Sequence, residues 1–107
     1  MVIYVDIDET ICMYTGERQY SLAKPIYDRI NQINNLYENG NHIVYWTARG
    51  GTTKIDHTEL TKNQLALWGA KYHELKMNDK PSYDLLICDK AVNTESFFLS
   101  NKVKKDI

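Results

Sequence analysis

Short apolar runs alternate with longer amphipathic segments along this chain of 107 residues. Brief apolar runs bounded by polar or turn-forming residues are typical of buried strands. Four such runs predict strands: Val2–Val5, Ile43–Trp46, Tyr72–Met77 and Leu85–Cys88. Because helical patterns separate the first three runs, the chain predicts an α/β domain with a mostly parallel sheet.

Two longer helices and one short helix are predicted beside the strands. Isoleucines recur at helical spacing behind Pro25, and Gly40 supplies a stop, so we expect a first helix over Pro25–Glu38. A second apolar face, with Gly69 as its stop, predicts a helix over His57–Trp68, and a short closing helix is expected to begin at Thr94.

The remaining segments are expected to be irregular. The segment Ile11–Lys24 has no helical period and carries Gly16 between tyrosines, which predicts a turn and a small hairpin, here called the flap. Only the six residues Asn78–Tyr83 join the third and fourth strands, and they span at most ~20 Å. We therefore expect the third strand to be short or displaced. The lysine-rich end, Lys102–Ile107, is expected to fray.

Length, charge and hydropathy limit the classes of function that the chain could have. One domain spanning residues 1–107 can bury a single core but leaves no room for a second lobe. The formal net charge of -1 argues against general nucleic-acid binding, and no run approaches the ~18 apolar residues of a membrane span. Without a signal-peptide pattern, the chain is expected to be cytoplasmic. Cys12 and Cys88 lack metal or disulfide spacing and are interpreted as apolar filler.

The most informative motif directly follows the first strand: Asp6-Ile7-Asp8-Glu9-Thr10. Ligands of open α/β sheets bind at the carboxyl ends of strands, so this is a catalytic position. Asp6 could attack phosphorus, and Asp8, pushed towards protonation by its like-charged neighbour, could donate a proton to the leaving group. The alternative is a solvated loop in which Thr10 only caps a helix.

This motif and three others in order behind it resemble the haloacid dehalogenase (HAD) superfamily of phosphatases and phosphotransferases. The others are Thr47 at the end of the second strand, Lys80 ahead of the fourth strand and Asp89 at its end. The match runs from Met1 to about Asn93 and looks like small bacterial and phage HAD proteins of capsule or polysaccharide biosynthesis. The resemblance implies a Rossmann-like HAD core with strand order 4-1-2-3, helices on both faces of the sheet and, given the short flap, no cap domain.

The resemblance also implies a Mg²⁺-dependent phosphomonoester hydrolase that works through an aspartyl-phosphate. The implied catalytic residues are Asp6, Asp8, Thr47 and Lys80. The implied metal ligands are the carboxylates of Asp6 and Asp89 and the backbone carbonyl of Asp8, and the implied substrate contacts are Thr10, Ala48 and Arg49. Arg49 could equally be a surface charge or order its loop, and Lys76 competes with Lys80 for the lysine role.

Three positions depart from the usual pattern of the family. Cys88 stands at the place of a glycine, Asn93 replaces a second acid, and Glu9 replaces a frequent glycine. An amide supplies no charge, so Asn93 predicts weaker Mg²⁺ affinity, although Asp89 keeps the principal ligand.

The substrate and the functional class stay open at this point. With no cap, a bulky substrate or a second subunit would have to cover the site. We expect a small phosphorylated substrate, a sugar phosphate first, with a nucleotide or a polynucleotide end as the alternative; Tyr14, Arg18 and Tyr20 on the flap are candidate contacts. The other classes are a non-catalytic HAD-fold binding protein and a response-regulator receiver, for which Met77-Asn78-Asp79 is a poor match.

Overall fold

A computed structural model of the chain describes residues 1–50, 55–77, 85 and 92–99. The strands in these ranges are β1 (Val2–Val5), β2 (Cys12–Met13), β3 (Lys24–Pro25), β4 (His42–Thr47) and β5 (Glu74–Met77). The α-helices are α1 (Tyr27–Glu38) and α2 (Thr58–Leu67), with a 3₁₀ turn at Tyr20–Leu22 and a helical segment at 94–99. None of the helices in the described ranges combines the length and the apolar character of a membrane span.

The main sheet contains three described strands in the order β1-β4-β5, and all of them are parallel. Val5 lies opposite Tyr45, and Thr47 lies opposite Met77, so the carboxyl ends of the strands meet at one edge of the sheet. This arrangement confirms a small parallel α/β domain. The fourth predicted strand lies outside the described residues apart from Leu85. The order 4-1-2-3 therefore stays a prediction.

The flap contains the predicted small hairpin. β2 and β3 pair in antiparallel fashion, with Cys12 opposite Pro25. The expectation that Pro25 begins the first helix is wrong, because Pro25 belongs to β3 and α1 begins at Tyr27. A proline lacks the N–H of a ladder donor but is tolerated at the end of a short edge strand.

Both helices end where glycines were predicted to stop them. Gly40 and Gly69 follow α1 and α2 with φ angles of 91° and 73°. A residue with a Cβ atom rarely adopts this left-handed conformation, so glycine is favoured just past a helix end. The short helical segment at 94–99 likewise agrees with the predicted closing helix.

The core lies between these two helices and one face of the main sheet. Alternate strand residues point to the same face, and the buried cluster joins strand residues to helix residues from α1 and α2: Val5, Ile43, Tyr45, Ile30, Ile33 and Leu65. The two crossovers, β1 to β4 through α1 and β4 to β5 through α2, run in the same direction across the sheet. Since such crossovers are right-handed, both helices lie on the same face of the sheet. Helices on both faces of the sheet stay a prediction.

The third predicted strand begins later than its apolar run does, at Glu74 instead of Tyr72. The ring Nδ1 of His73 accepts a hydrogen bond from the backbone N–H of Ile43 at 3.1 Å, and the His73 N–H donates to the Ile43 carbonyl at 2.9 Å. A side chain thus takes the place of a backbone acceptor, and regular pairing begins at Glu74. The expectation of a short or displaced third strand stays a prediction, because the residues that follow Met77 lie outside the described ones. The connector Asn78–Tyr83 and the tail Lys102–Ile107 lie outside the described residues.

Candidate active site

Asp6 and Thr47 lie at the carboxyl ends of two neighbouring strands. Asp6 directly follows β1, and Thr47 is the last residue of β4. The half-buried Asp6 carboxylate is held at the strand end, because its Oδ1 accepts a hydrogen bond from the backbone N–H of Ile7 at 2.9 Å. The structure therefore brings the first and second motifs to the same edge of the sheet.

A tight turn after β1 buries the second carboxylate of the first motif. The Ile7 carbonyl accepts backbone hydrogen bonds from Thr10 at 3.1 Å and from Ile11 at 2.9 Å. Glu9 has a φ angle of 65°, which residues other than glycine rarely adopt. This left-handed conformation is the one that favours glycine, the residue that the family resemblance implies at this position. The turn places Asp8 below the surface, with 8% of the residue exposed.

Asp8 forms a buried ion pair with Arg49. Arg49 Nε donates to Asp8 Oδ2 at 3.0 Å, and a terminal nitrogen of Arg49 donates to Asp8 Oδ1 at 2.8 Å. The Arg49 side chain is 0% exposed. Two parallel hydrogen bonds of this kind fix both the position and the plane of a carboxylate.

Two flap residues contact the same carboxylate. The Tyr14 hydroxyl donates to Asp8 Oδ1 at 2.5 Å, and the Cys12 thiol lies 3.5 Å from the same oxygen. The sequence signals for these contacts are weak, since a half-buried tyrosine and a small cysteine are ordinary packing residues. The flap nevertheless lies directly against the first motif.

Two opposing effects set the pKa of the Asp8 carboxyl. Burial raises this pKa, but hydrogen bonds from Arg49 and Tyr14 and the positive charge of Arg49 lower it, and the net pKa lies below its ordinary value. Burial lowers the pKa of Arg49, but Asp8 outweighs burial and the net pKa is raised. The free protein therefore holds an ionised pair. The expectation that a like-charged neighbour pushes Asp8 towards protonation is wrong, because a buried cation contacts Asp8 directly.

Cys12 and Tyr14 stay protonated beside this pair. Burial, followed by the charge of Asp8, raises the pKa of the Cys12 thiol to about 12. Burial and the hydrogen bond to Asp8 also raise the pKa of the Tyr14 phenol. Since the thiolate is the reactive form of cysteine, Cys12 is an inert neighbour of the site, in agreement with its interpretation as filler.

Helix α2 holds the far side of Arg49. The second terminal nitrogen of Arg49 donates to Thr61 Oγ1 at 3.1 Å and to Gln64 Oε1 at 2.5 Å. Thr61 and Gln64 are both buried, and sequence reasoning did not single them out. One signal could have found them, because both polar residues occur on the helix face that carries the buried Leu65.

The other predicted substrate contacts have different surroundings. Thr10 is buried, and its hydroxyl lies 3.2 Å from the hydroxyl of Thr94. Ala48 is exposed just past β4. The Thr47 hydroxyl accepts a hydrogen bond from the backbone N–H of Arg49 at 3.2 Å, which orders the loop after β4.

Two predicted site residues, Lys80 and Asp89, lie outside the described residues, as do Cys88 and part of the loop after Gly50. Within the ranges that the structure describes, no group of three or more His, Cys, Asp or Glu residues is arranged to hold a metal ion. Of the three predicted metal ligands, the described residues include Asp6 and Asp8, whereas Asp89 lies outside them.

Comparison with known proteins supports the fold. A crystal structure of a structural-genomics target from Vibrio cholerae matches this chain with a TM-score of 0.77 at 22% sequence identity. The match covers 99% of this chain and 98% of the other. No family model matches the sequence, and no curated protein is significantly similar to it. At this identity, the likeness shows that the two proteins share a fold.

Proposed function

We propose that the protein is a HAD-type, Mg²⁺-dependent phosphomonoester hydrolase that forms an aspartyl-phosphate on Asp6. The observation that carries the proposal is the pair of carboxylates after β1, one half-buried at the sheet edge and the other buried against Arg49. A buried ion pair seldom stabilises a fold more than apolar residues of the same volume would. Its presence beside a strand end therefore favours a role in chemistry.

The proposed reaction has two steps. In the first, an Asp6 oxygen bonds to phosphorus while the bond between phosphorus and the leaving oxygen breaks, and Asp8 passes a proton to that oxygen. Because Asp8 is ionised in the free protein, this proton arrives with the substrate, whose phosphate monoanion carries one. In the second step, water attacks the phosphorus of the aspartyl-phosphate, and Asp8 accepts a proton from this water. Inorganic phosphate leaves with the proton that Asp8 took up, and both carboxylates are restored.

Thr47 suits the role of holding the transferring group. Its hydroxyl accepts the Arg49 backbone N–H, so its own proton can be donated to a phosphate oxygen. Because the Arg49 N–H already bonds Thr47, the Ala48 N–H is the proposed second donor at this edge. Lys80 is the proposed source of positive charge there. Such donors stabilise charge that develops on the equatorial oxygens.

The donor set of the proposed site fits magnesium. Oxygen ligands are the ones that Mg²⁺ prefers. Arg49 holds the Asp8 carboxylate. In line with the family resemblance, the proposed metal ligands are the Asp8 backbone carbonyl and the carboxylates of Asp6 and Asp89. Bound there, the ion would neutralise charge on the substrate phosphate.

The proposed substrate is a small phosphorylated metabolite, a sugar phosphate first and a nucleotide or polynucleotide end second. The flap offers Arg18, whose guanidinium lies 5.5 Å from the centre of the Tyr14 ring. Arg18 therefore places an exposed positive charge beside a residue that contacts Asp8, which suits an anionic substrate.

The test is phosphate release from p-nitrophenyl phosphate, with and without Mg²⁺, by the protein and by its Asp6→Asn variant. The proposal predicts Mg²⁺-dependent turnover that falls by at least about 10³-fold in the variant, since a covalent nucleophile is removed. No release by the unaltered protein would favour a binding protein that has kept the fold. Phosphate uptake from acetyl phosphate without sustained turnover would favour a receiver.

A further inference from the structure

Every nitrogen of the Arg49 guanidinium already has a partner inside the protein. Nε and one terminal nitrogen contact the two oxygens of Asp8, and the other terminal nitrogen contacts Thr61 and Gln64. The ring of Tyr20 lies against the same group, 4.9 Å from its central carbon. A substrate phosphate would have to displace several buried hydrogen bonds to reach Arg49. The interpretation of Arg49 as a substrate contact is therefore physically unfavourable.

The contacts of Asp8 differ between its two oxygens. Oδ1 accepts from Tyr14, from a terminal nitrogen of Arg49 at 2.8 Å and, more weakly, from Nε at 3.3 Å. Oδ2 accepts from Arg49 Nε at 3.0 Å, which is its one partner among the contacts that the structure describes. Oδ2 thus keeps acceptor capacity, because a carboxylate oxygen has two lone pairs. It is the atom better suited to exchange a proton with a reacting group.

Arg49 itself is anchored from two sides. Thr61 and Gln64 attach it to helix α2, and the Gln64 amide also donates to the Tyr20 carbonyl of the flap at 2.6 Å. The helix and the flap therefore fix the arginine, and the arginine fixes the plane of the Asp8 carboxylate. A side chain locked in this way can hold a proton-transfer group within the narrow geometry that catalysis needs.

We infer that Arg49 is a positioning residue that aims Asp8 Oδ2 at the leaving group, assisted by Tyr14. The inference rests on the proposed phosphatase function. It has a specific kinetic consequence, because proton transfer matters most when the leaving group is a poor one. An alkoxide needs a proton as it departs, whereas p-nitrophenolate departs readily without one. If the Asp8 carboxylate is no longer held in position, turnover of alkyl phosphates should therefore fall much more than turnover of p-nitrophenyl phosphate.

The experiment measures kcat and KM in Mg²⁺ for β-glycerol phosphate and for p-nitrophenyl phosphate. The variants are Arg49→Lys, which keeps the charge but loses the two-pronged geometry, and Tyr14→Phe, which removes one donor to Oδ1. We expect Arg49→Lys to lower kcat for β-glycerol phosphate by about 10²-fold or more, with a loss below about tenfold for p-nitrophenyl phosphate and KM changed by less than about threefold. Tyr14→Phe should show the same pattern with smaller losses.

Lys71→Arg is the control that keeps a positive charge while changing the head group. Lys71 pairs with Glu38 at the end of α1, outside the proposed site, so both kcat values should stay as in the unaltered protein. Circular dichroism melting identifies any variant that is unfolded. If Arg49→Lys fails to fold, Tyr14→Phe decides the question, because this change leaves no charge unpaired.

Two results would overturn the inference while the proposed function stands. One is a rise in KM of similar size for both substrates with kcat retained, which would mean that Arg49 binds the phosphate. The other is an equal loss of kcat on both substrates, which would mean that Arg49 does not position Asp8 for proton transfer to the leaving group. If the unaltered protein hydrolyses neither substrate, the proposed function itself is wrong and the inference falls with it.

Discussion

Asp8 is an ionised carboxylate that the fold buries and pairs with a single buried arginine. The sequence predicts its place after the first strand, because the motif and the apolar run adjoin. Its partner could not be predicted, since Arg49 lies 41 positions away and a lone arginine after a strand is more often exposed. Two polar residues on α2 are the sequence signal for a buried polar partner, because Thr61 and Gln64 occur on the helix face that carries the buried Leu65.

The lowered pKa of Asp8 makes stability depend on pH. A carboxyl with a lower pKa in the folded state contributes stability that is complete above its unfolded pKa of about 3.9 and is lost as the pH falls through its folded pKa. We expect the free energy of unfolding to decrease as the pH is lowered from about 5 to about 2. Urea unfolding across this range, with Asp8→Asn as the comparison, measures the effect.

The Asp8→Asn variant should be less stable at neutral pH, because it leaves Arg49 buried without its counter-charge. It should also lose less stability on acidification than the unaltered protein does. Equal losses of stability in the two proteins between these pH values would mean that Asp8 does not carry the effect.

The hydroxyl of Tyr45 is a second buried polar group, and it lacks a hydrogen-bond partner among the residues that the structure describes. Leaving a buried donor unpaired is unfavourable, so Tyr45→Phe should raise the free energy of unfolding by about 1 kcal/mol. Urea unfolding at pH 7 measures this change. Tyr4→Phe alters an exposed tyrosine and should change stability by less than about 0.5 kcal/mol. A destabilised Tyr45→Phe would show that the hydroxyl has a partner.

At the scale of elements, the helices and strands follow from local patterns except where tertiary contacts set their limits. Both α-helices lie within the predicted ranges because apolar spacing and glycine stops agree. Pro25 was misplaced because the backbone pairing of the flap extends through it, and no local pattern reports that pairing. The later start of β5 has a similar cause, because the ring of His73 bonds the backbone of Ile43, a residue 30 positions away.

The glycine that ends α1 allows a prediction about the stability of the protein. Gly40 has a φ angle of 91°, and no atom within 4 Å would touch an added Cβ, so a substitution there changes backbone strain without a steric clash. Gly40→Ala should lower the free energy of unfolding by about 1–2 kcal/mol, measured by urea unfolding. Gly16→Ala is the control, because Gly16 is equally open but has no positive φ angle; it should be neutral or slightly stabilising. Equal effects of the two changes would contradict a left-handed stop at Gly40.

At the scale of the whole molecule, a parallel sheet brings together residues that are far apart in the chain. The predicted α/β class is confirmed, and the strand ends place Asp6 and Thr47 at the same edge of the sheet. The flap and α2 complete the surroundings of Asp8 from two further elements. The pattern of the sequence predicts where the strands end. It does not predict which polar side chains from different elements come into contact, because hydrophobic periodicity identifies only the helices and strands themselves.

The central claim is that Asp6 takes up a phosphoryl group. Its most direct test is mass spectrometry of the protein after a brief reaction with p-nitrophenyl phosphate and Mg²⁺ and quenching in acid, which preserves acyl phosphates. We expect one added phosphoryl group, located on Asp6 and absent from the Asp6→Asn variant. A phosphoryl group on another residue, or undiminished phosphate release by Asp6→Asn, would contradict it.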